Sequence, residues 1–266
     1  MLTDLRTHWD LVLAFANRDL STRYRASALG WAWSLVQPLA TLIIFSAVFS
    51  IIFRVQAPPL GNGSGDSNYA AFIFTGIVTW TLFSGTLTLS MSQLKSNREL
   101  LKKVQMPAWP PVLGASLVQL IEIALMFLVL VVMFLFLGNV GWTWLIVIPI
   151  LLGLFLFSQG VGFMLSILNA HFDDVQYIVT VLLGALYFLT PVLYPMSLLE
   201  GQNEILSWVI TINPIGWYVQ SMHDVMYSLT SPEWWVIALL VVGGALVFWL
   251  GFSVFQRSSR DIGEVL

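Results

Sequence analysis

Few side chains in this sequence are of the kinds that perform covalent chemistry. The chain has no cysteine and three widely separated histidines, His8, His171 and His223. It contains neither the nucleotide-binding pattern G-x-x-x-x-G-K-[ST] nor the zinc-binding pattern H-E-x-x-H. Asp173 and Asp174 follow His171, but carboxylates after a short turn are more typical of a helix start. We therefore predict no catalytic residue and no metal site.

One carboxylate falls within an apolar stretch long enough to cross a membrane. Glu122 lies in that stretch, and Gln119 precedes it by about one helical turn. An ionisable side chain inside a membrane is costly, so it is expected either to pair with another group or to serve transport. Both interpretations, structural pairing and a gating or transport role, remain open from the sequence.

A polar segment separates two of the apolar stretches. It carries Lys95, Arg98, Glu99, Lys102 and Lys103, and prolines follow from residue 107 onward. This segment can form a short amphipathic helix that the prolines end. Such a helix, parallel to the membrane, suits the docking of a soluble partner; a plain positively charged anchor is the alternative.

Aromatic side chains are concentrated near the end of another apolar stretch. Tyr187, Phe188 and Tyr194 lie around Pro191 and Pro195, which kink or end a helix. Aromatic faces can contact the C–H groups of sugars without any charge. The alternative is ordinary packing against lipid or neighbouring helices.

The composition places these residues in an integral membrane protein. Of 266 residues, 58% are hydrophobic and only 9% are charged, whereas soluble domains carry about 25% charged residues. The mean hydropathy is +0.85. The net charge of −3 does not suit a polyanion, so we expect no nucleic-acid partner.

The apolar stretches predict an all-α integral membrane fold with six transmembrane helices in one domain, residues 1–266. Each stretch has about the 20 residues that a bilayer core requires. The predicted spans are 33–53, 69–91, 112–137, 143–168, 174–195 and 233–255. They form a bundle over 33–255, followed by a cytoplasmic tail, 256–266.

The basic residues predict the orientation of this bundle. With six spans, three clusters fall on one side: Arg6, Arg18, Arg23 and Arg25; Lys95, Arg98, Lys102 and Lys103; Arg257 and Arg260. Only Arg54 falls on the other. Because basic residues are retained on the cytoplasmic side, both termini and the loop after the second span are predicted to be cytoplasmic.

Two segments are predicted to lie at the membrane surfaces. Within residues 1–30, apolar side chains recur at three- and four-residue steps, which predicts an amphipathic interface helix: Leu2, Leu5, Trp9, Val12, Ala16 and Leu20. Residues 197–232 predict two short helices split at Asn213-Pro214, in or on the outer leaflet. These helices would form the wall or gate of a pathway; a plain amphipathic outer loop is the alternative.

The chain resembles type-2 ABC exporter permeases for polysaccharides over nearly its whole length. The opening signature is carried by Arg18-Asp19-Leu20, Arg23-Tyr24-Arg25, Ser27, Leu29-Gly30, Trp33 and Gln37-Pro38. Two cytoplasmic loops resemble the family at Asn97-x-x-Leu100-x-x-Lys103, Met106-Pro107 and Phe172-x-Asp174-Val175. The outer gate region is similar at Thr190-Pro191-Val192-Leu193-Tyr194-Pro195 and Asn213-Pro214. Within the family, the O-antigen exporters are the most similar branch. This similarity is carried by Phe53-Arg54-Val55-Gln56, Phe74-Thr75-Gly76 and Trp80.

The sequence departs from the family pattern where the partner would dock. Met106 stands in place of an aromatic residue, Ala108 in place of a basic one, and Asp173 in place of an arginine. These departures concern the detailed docking contacts.

The resemblance implies a homodimer in the bacterial inner membrane, with a separate ABC ATPase subunit on each cytoplasmic face. The two ATPase copies would bind ATP and Mg, and the cargo would be an undecaprenyl-diphosphate-linked polysaccharide, most similar to O antigen; capsule and teichoic acid exporters are related. The resemblance also implies roles for single residues. Contact with the lipid diphosphate is implied for Arg18, Arg23 and Arg25, and contact with sugars for Trp80, Tyr187, Phe188 and Tyr194. Coupling to the ATPase is implied for Lys95, Arg98, Glu99, Lys102, Lys103, Asp173 and Asp174, and an outer gate for Pro191, Pro195, Asn213 and Pro214.

Two other classes of protein remain alternatives. An ion-coupled secondary carrier or channel would use Glu122 and need no ATPase. A membrane-embedded enzyme acting on lipid-linked sugars would need converging carboxylates or histidines, for which His171, Asp173 and Asp174 are the one available cluster.

Overall fold

A computed structural model describes residues 8–23, 30–52, 57–104, 106–199 and 204–259, and all regular structure in these ranges is helical. We number the α-helices in chain order: α1 Trp9–Arg23, α2 Trp33–Ala47, α3 Tyr69–Ser96, α4 Arg98–Lys103, α5 Trp109–Phe136, α6 Val147–His171, α7 Asp174–Phe188, α8 Glu204–Ile212, α9 Pro214–Met222 and α10 Trp234–Ser258. Short 3-10 turns occur at Gly30–Ala32, Trp142–Ile146 and Met196–Leu199, and π-helical turns at Val48–Ile52 and His223–Tyr227. The all-α prediction is confirmed.

Four helices of the described chain are long and apolar enough to cross a membrane. They are α3, α5, α6 together with its preceding turn (Trp142–His171), and α10. They coincide with the predicted spans 69–91, 112–137, 143–168 and 233–255. The chain is thus a multi-pass membrane protein.

The other two predicted spans, 33–53 and 174–195, contain shorter helices. Both α2 and α7 have 15 residues, and the π-helical turn Val48–Ile52 extends α2 by five. The helix α7 ends at Phe188, before Pro191, because proline has no N–H to continue the hydrogen-bond ladder. Whether these two helices cross the membrane stays a prediction, as does the six-span count.

The helix α3 lies at the centre of the bundle. It contacts α2, α5, α6, α7 and α9, and 78% of its apolar stretch is buried within the protein. Its buried hydroxyls bond to the preceding turn of the same helix: Thr75 donates to the Ala71 carbonyl and Thr79 to the Thr75 carbonyl, each at 2.9 Å. Intrahelical bonding of this kind lets polar residues occupy an apolar core.

Glycines hold α10 tightly against α6. Gly244 packs on the carbonyl oxygen of Gly153, and Gly251 packs on that of Gly160. A Cβ atom at either α10 position would clash with the α6 backbone. Small residues at repeated helix positions let backbones approach closely, which is a main source of helix association in lipid.

The N-terminal helix α1 docks on α5 at the predicted cytoplasmic end. Val12, Phe15 and Ala16 are buried there, and Gly114 of α5 faces them, with space too small for a Cβ atom. Val12 and Ala16 belong to the predicted apolar stripe, whereas Trp9 remains 43% exposed. Leu2 and Leu5 lie outside the described residues.

Buried amide and hydroxyl groups form hydrogen bonds between the loops at the opposite, predicted outer end of the bundle. Asn139, in the loop between α5 and α6, donates to the carbonyl oxygens of Met226 and Tyr227 at 2.9 and 3.0 Å. Tyr227 in turn donates its hydroxyl to the Pro58 carbonyl at 2.7 Å. The turn after α9 is therefore bonded to two other outer loops.

Candidate functional site

An ion pair joins α1 to the membrane-embedded part of α5. Arg23, the last residue of α1, places its Nη2 atom 3.0 Å from Oε2 of Glu122. The two side chains are only 29% and 11% exposed. A carboxylate so shielded from water requires a compensating partner, and this geometry supplies one. Structural pairing, one of the two interpretations of Glu122, is thus seen directly, while a transport role is left open.

The ion pair lies in the wall of a cavity of about 570 Å³. The cavity is bounded by α1, α2, α3, α5 and α7. Polar atoms are contributed by Arg23, Gln119 and Glu122, and aromatic rings by Trp80, Tyr187 and Phe188. Six residues predicted from the sequence to have functional roles are therefore brought together in one place.

The residues that line the cavity lie at different levels along the bundle. On α3, Gly85 lies opposite the Gln119 amide and Trp80 lies more than a turn nearer the outer end. On α7, Tyr187 and Phe188 are in the last turn before the outer segment. The Gln119 amide therefore lies nearer the predicted cytoplasmic side than the Trp80 ring does, and Glu122 lies about one turn beyond Gln119 on α5.

The aromatic rings pack on one another. Trp80 and Tyr187 meet edge to face with centroids 5.3 Å apart, and Tyr187 stacks on Phe45 of α2 at 6.2 Å. Phe188 extends this group and is 63% exposed. Tyr194 is different: it does not line the cavity, and its hydroxyl donates to the Phe188 carbonyl at 3.0 Å.

The other predicted lipid-diphosphate residues are not placed in this cavity. Arg18 lies on the exposed side of α1, bonded to Asp19 at 3.0 Å and over the Phe15 ring at 4.8 Å. Arg25 lies outside the described residues. Of the two arginines that the structure describes, Arg23 lines the cavity and Arg18 does not.

The two predicted cytoplasmic loops contact each other. Lys95, at the end of α3, donates to Asp173 at 2.6 Å and to Asn169 at 3.3 Å. The hydrogen bond from the Lys95 ammonium, with its charge, holds the pKa of Asp173 below its usual range. The short helix α4 follows directly, and it exposes the remaining predicted coupling residues, Arg98, Glu99, Lys102 and Lys103. Asp174 is exposed at the start of α7.

These loops do not form a metal site in the part of the chain that the structure describes. No group of three His, Asp or Glu side chains is close enough there to hold an ion. His171 places Nδ1 2.9 Å from the Ile167 carbonyl, one turn back on α6.

The predicted outer gate residues form a hydrogen-bonded junction. Asn213 separates α8 from α9, caps α9 by accepting from the Ile215 N–H, and donates to Thr190 Oγ1 at 2.8 Å. Pro191 and Pro195 are buried, and Pro214 begins α9. One helix thus ends at Ile212 and the next begins at Pro214; that these helices lie at the outer leaflet and form a gate stays a prediction.

One row of cavity residues escaped the sequence argument. Ser34, Gln37 and Thr41 of α2 all line the cavity. Their spacing of three and four residues on an otherwise apolar helix places them on one face. That spacing was the available signal, since a polar stripe on a membrane helix indicates a face turned away from lipid.

With this arrangement established, the sequence identifies the class of protein. Residues 10–227 match the membrane family of ABC-2 type transporters, and the chain belongs to that family.

Individual relatives make the class more specific. The chain is 28% identical to the O-antigen export system permease protein RfbA of Klebsiella pneumoniae, covering 97% of this chain and 95% of the relative. It is 26% identical to the RfbA protein of Myxococcus xanthus, covering 99% and 98%. It is 23% identical to the polysialic acid transport protein KpsM of Escherichia coli, covering 90% of each. The resemblance to polysaccharide-export permeases is confirmed.

Proposed function

We propose that this chain is the transmembrane subunit of an ATP-driven exporter that moves a lipid-linked polysaccharide, O antigen, out of the cytoplasm. The observation that carries the proposal is the cavity that joins the Arg23–Glu122 pair to the rings of Trp80 and Tyr187. The similarity to the O-antigen export permeases RfbA supports the choice of O antigen. The similarity to KpsM supports capsule as the second choice, and teichoic acid remains a further possibility.

The groups that line the cavity suit the two parts of such a cargo. A guanidinium group binds phosphate through two parallel hydrogen bonds, so Arg23 suits the diphosphate of an undecaprenyl-linked glycan. The aromatic rings offer apolar faces to sugar rings and place no charge in their path. One cavity thus offers a cation to the lipid diphosphate and aromatic faces to the sugars.

In this proposal Glu122 holds Arg23 at the position where the phosphate would bind. It neutralises Arg23 within a shielded wall and holds the guanidinium group at the cavity. An arriving diphosphate, with more negative charge, would compete with the carboxylate for Arg23. The diphosphate would then bind to a guanidinium group that is already held in position at the cavity wall.

We propose that a second copy of the chain completes the path along which the glycan crosses the membrane. The helices α2 and α7 wall the cavity, yet their outer faces are largely uncovered: Ile43 is 68% exposed, Tyr177 73% and Val181 72%. Apolar faces beside a polar cavity can be covered by a second copy packed against them. A homodimer would thereby enclose a path wider than one cavity.

Energy would come from a separate ABC ATPase, in two copies that bind ATP and Mg, since the sequence has no nucleotide-binding motif of its own. The exposed α4 helix would dock this partner, and the Lys95–Asp173 contact would link α4 to the start of α7. The termini and these loops would face the cytoplasm from the bacterial inner membrane.

The proposal is tested by complementation in a strain that lacks its own copy of the gene. We expect Arg23→Ala to abolish surface O antigen, measured by immunoblotting of surface glycan, with normal amounts of protein in the membrane. Arg257→Ala is the matched control, because Arg257 is an exposed arginine in the last turn of α10 and lies outside the cavity. Normal surface glycan in the Arg23→Ala strain would contradict the diphosphate role.

An ion-coupled carrier is the second candidate, because Glu122 lines the cavity. In that case Glu122→Gln would abolish transport driven by an ion gradient, and no ATPase would be needed. The exporter proposal instead expects export by the Glu122→Gln variant to depend on ATP.

A further inference from the structure

A second cavity, of about 480 Å³, lies at the outer end of the protein. It is enclosed by the end of α8, by α9 and its following turn, and by the start of α10. Its volume is in the range of small-ligand pockets, about 300–1,000 Å³. Pro191 and several residues of 197–232 line it, but no role considered so far assigns it a ligand.

Two indole rings form a corner of this pocket. Trp217 of α9 and Trp235 of α10 have centroids 6.0 Å apart and planes inclined by 67°. The Trp217 N–H donates to the Thr211 carbonyl at 2.7 Å, and the Trp235 N–H donates to the Glu233 carboxylate. Since both N–H groups bond within the protein, the rings are held in place and offer apolar faces.

Hydrogen-bonding groups stand beside the rings. Asp224 and Gln220 line the same pocket, and the Gln220 amide donates to the Asp224 carboxylate at 2.7 Å. Burial raises the pKa of Asp224 above its ordinary value. Glu233 adds a second carboxylate at the rim. The pocket thus combines flat apolar surface with several acceptors and an amide.

This combination selects among ligand classes. A pyranose ring has C–H faces that pack on indoles and hydroxyls that donate to carboxylates and amides. A phosphate or an acidic sugar would be repelled by the two carboxylates, and no Lys or Arg is among the described residues that line the pocket. These features disfavour phospholipid headgroups and favour neutral or amino sugars.

We propose that this outer pocket binds one or two neutral or amino sugar residues of the exported glycan as it emerges. The ligand class rests on the proposed export function. The position suits this role, because Pro191 lines the outer pocket while Tyr187 and Phe188, one turn earlier in the chain, line the first cavity. The end of α7 therefore separates the two.

The test is a binding measurement on the full-length chain in complex with its ATPase. The probe is a set of soluble oligosaccharides released by mild acid from the surface polysaccharide of the source strain, followed by saturation-transfer NMR. We expect binding to the unaltered complex and about a tenfold weaker Kd for Trp235→Ala, the loss of one aromatic face. Asp224→Asn, which keeps the side-chain shape, is expected to weaken binding as well.

Trp234→Ala is the matched control, because Trp234 is the neighbouring indole, 80% exposed and outside the pocket. It should bind as the unaltered protein does. Absence of binding, or equal binding by Trp235→Ala and the unaltered complex, would overturn the pocket assignment. Because binding does not require transport, failure of the unaltered complex to export glycan would count against the proposed function separately.

Discussion

At the scale of single residues, the most informative contact is the one between Arg23 and Glu122. The sequence marks each as a candidate functional residue for a different reason. Arg23 belongs to a motif that resembles the family, and Glu122 is a charged side chain whose burial in an apolar stretch costs free energy. The structure places them 3.0 Å apart. Nothing in either local pattern connects them, because the contact depends on how α1 docks against α5.

A double-mutant cycle tests this pair. We expect Arg23→Ala and Glu122→Ala each to lower the free energy of unfolding by about 1–3 kcal/mol, since each leaves a partly buried charge without this partner. The double variant should lose less than the sum of the two. Thermal unfolding in detergent gives the stability of the unaltered protein, the two single variants and the double variant. Strictly additive losses would show that the side chains do not interact.

The Lys95–Asp173 contact predicts a dependence on pH. The folded-state pKa of Asp173 is lowered, so the stabilisation is present above its unfolded value, near 3.8, and is lost as pH falls through the folded pKa. The melting temperature of Asp173→Asn should therefore lie below that of the unaltered protein by a constant amount from pH 5 to 8. The difference should shrink below about pH 4. A difference that persists in acid would rule out this ion pair as its cause.

At the scale of elements, the long helices were predictable and the contacts between them were not. The apolar lengths of α3, α5, α6 and α10 suffice to place them, because about 20 apolar residues have few alternatives in a membrane protein. The predicted span 33–53 is matched by α2 and its π-helical turn, which end at Ile52. The helix α7 ends at Phe188, seven residues before the predicted end of its span, because prolines follow. The cavity could be predicted only as separate residues, since it depends on the mutual packing of five helices.

The glycine contacts between α6 and α10 give a sharp test of packing. Gly251→Ala should destabilise the protein by about 1–3 kcal/mol, because the added methyl group meets the Gly160 backbone. Gly243→Ala on the same helix is the control: nothing lies within 4 Å of its added Cβ, and alanine favours the helix. Thermal unfolding compares the two variants. Equal stability would contradict the close approach of the two helices.

The helix α7 offers a way to block the cavity without disturbing the core. Gly184 lines the cavity and has nothing within 4 Å of an added Cβ. We expect Gly184→Leu to fold normally and to reduce surface glycan at least tenfold, by filling the path. Gly243→Leu, in open space on α10 and outside the cavity, should export normally. Full export by Gly184→Leu would place the path elsewhere.

At the scale of the whole molecule, polar and aromatic groups follow one another from one end to the other. The Lys95–Asp173 contact lies at the predicted cytoplasmic end, the Arg23–Glu122 pair and the aromatic cavity lie along the bundle, and the Trp217–Trp235 pocket lies at the predicted outer end. The end of α7 separates the two cavities. A movement imposed on the loop before α7 could thus be transmitted along α7 to both.

In the proposed mechanism, ATP hydrolysis by a partner subunit drives glycan through this subunit. The most direct measurement is to purify the chain with the ATPase encoded beside it, reconstitute the complex in liposomes, and follow ATP hydrolysis and the transfer of lipid-linked glycan across the bilayer. The account predicts a stable complex in which transfer requires ATP and is lost in Arg23→Ala. A chain that binds no ATPase and moves solute on an ion gradient would contradict it.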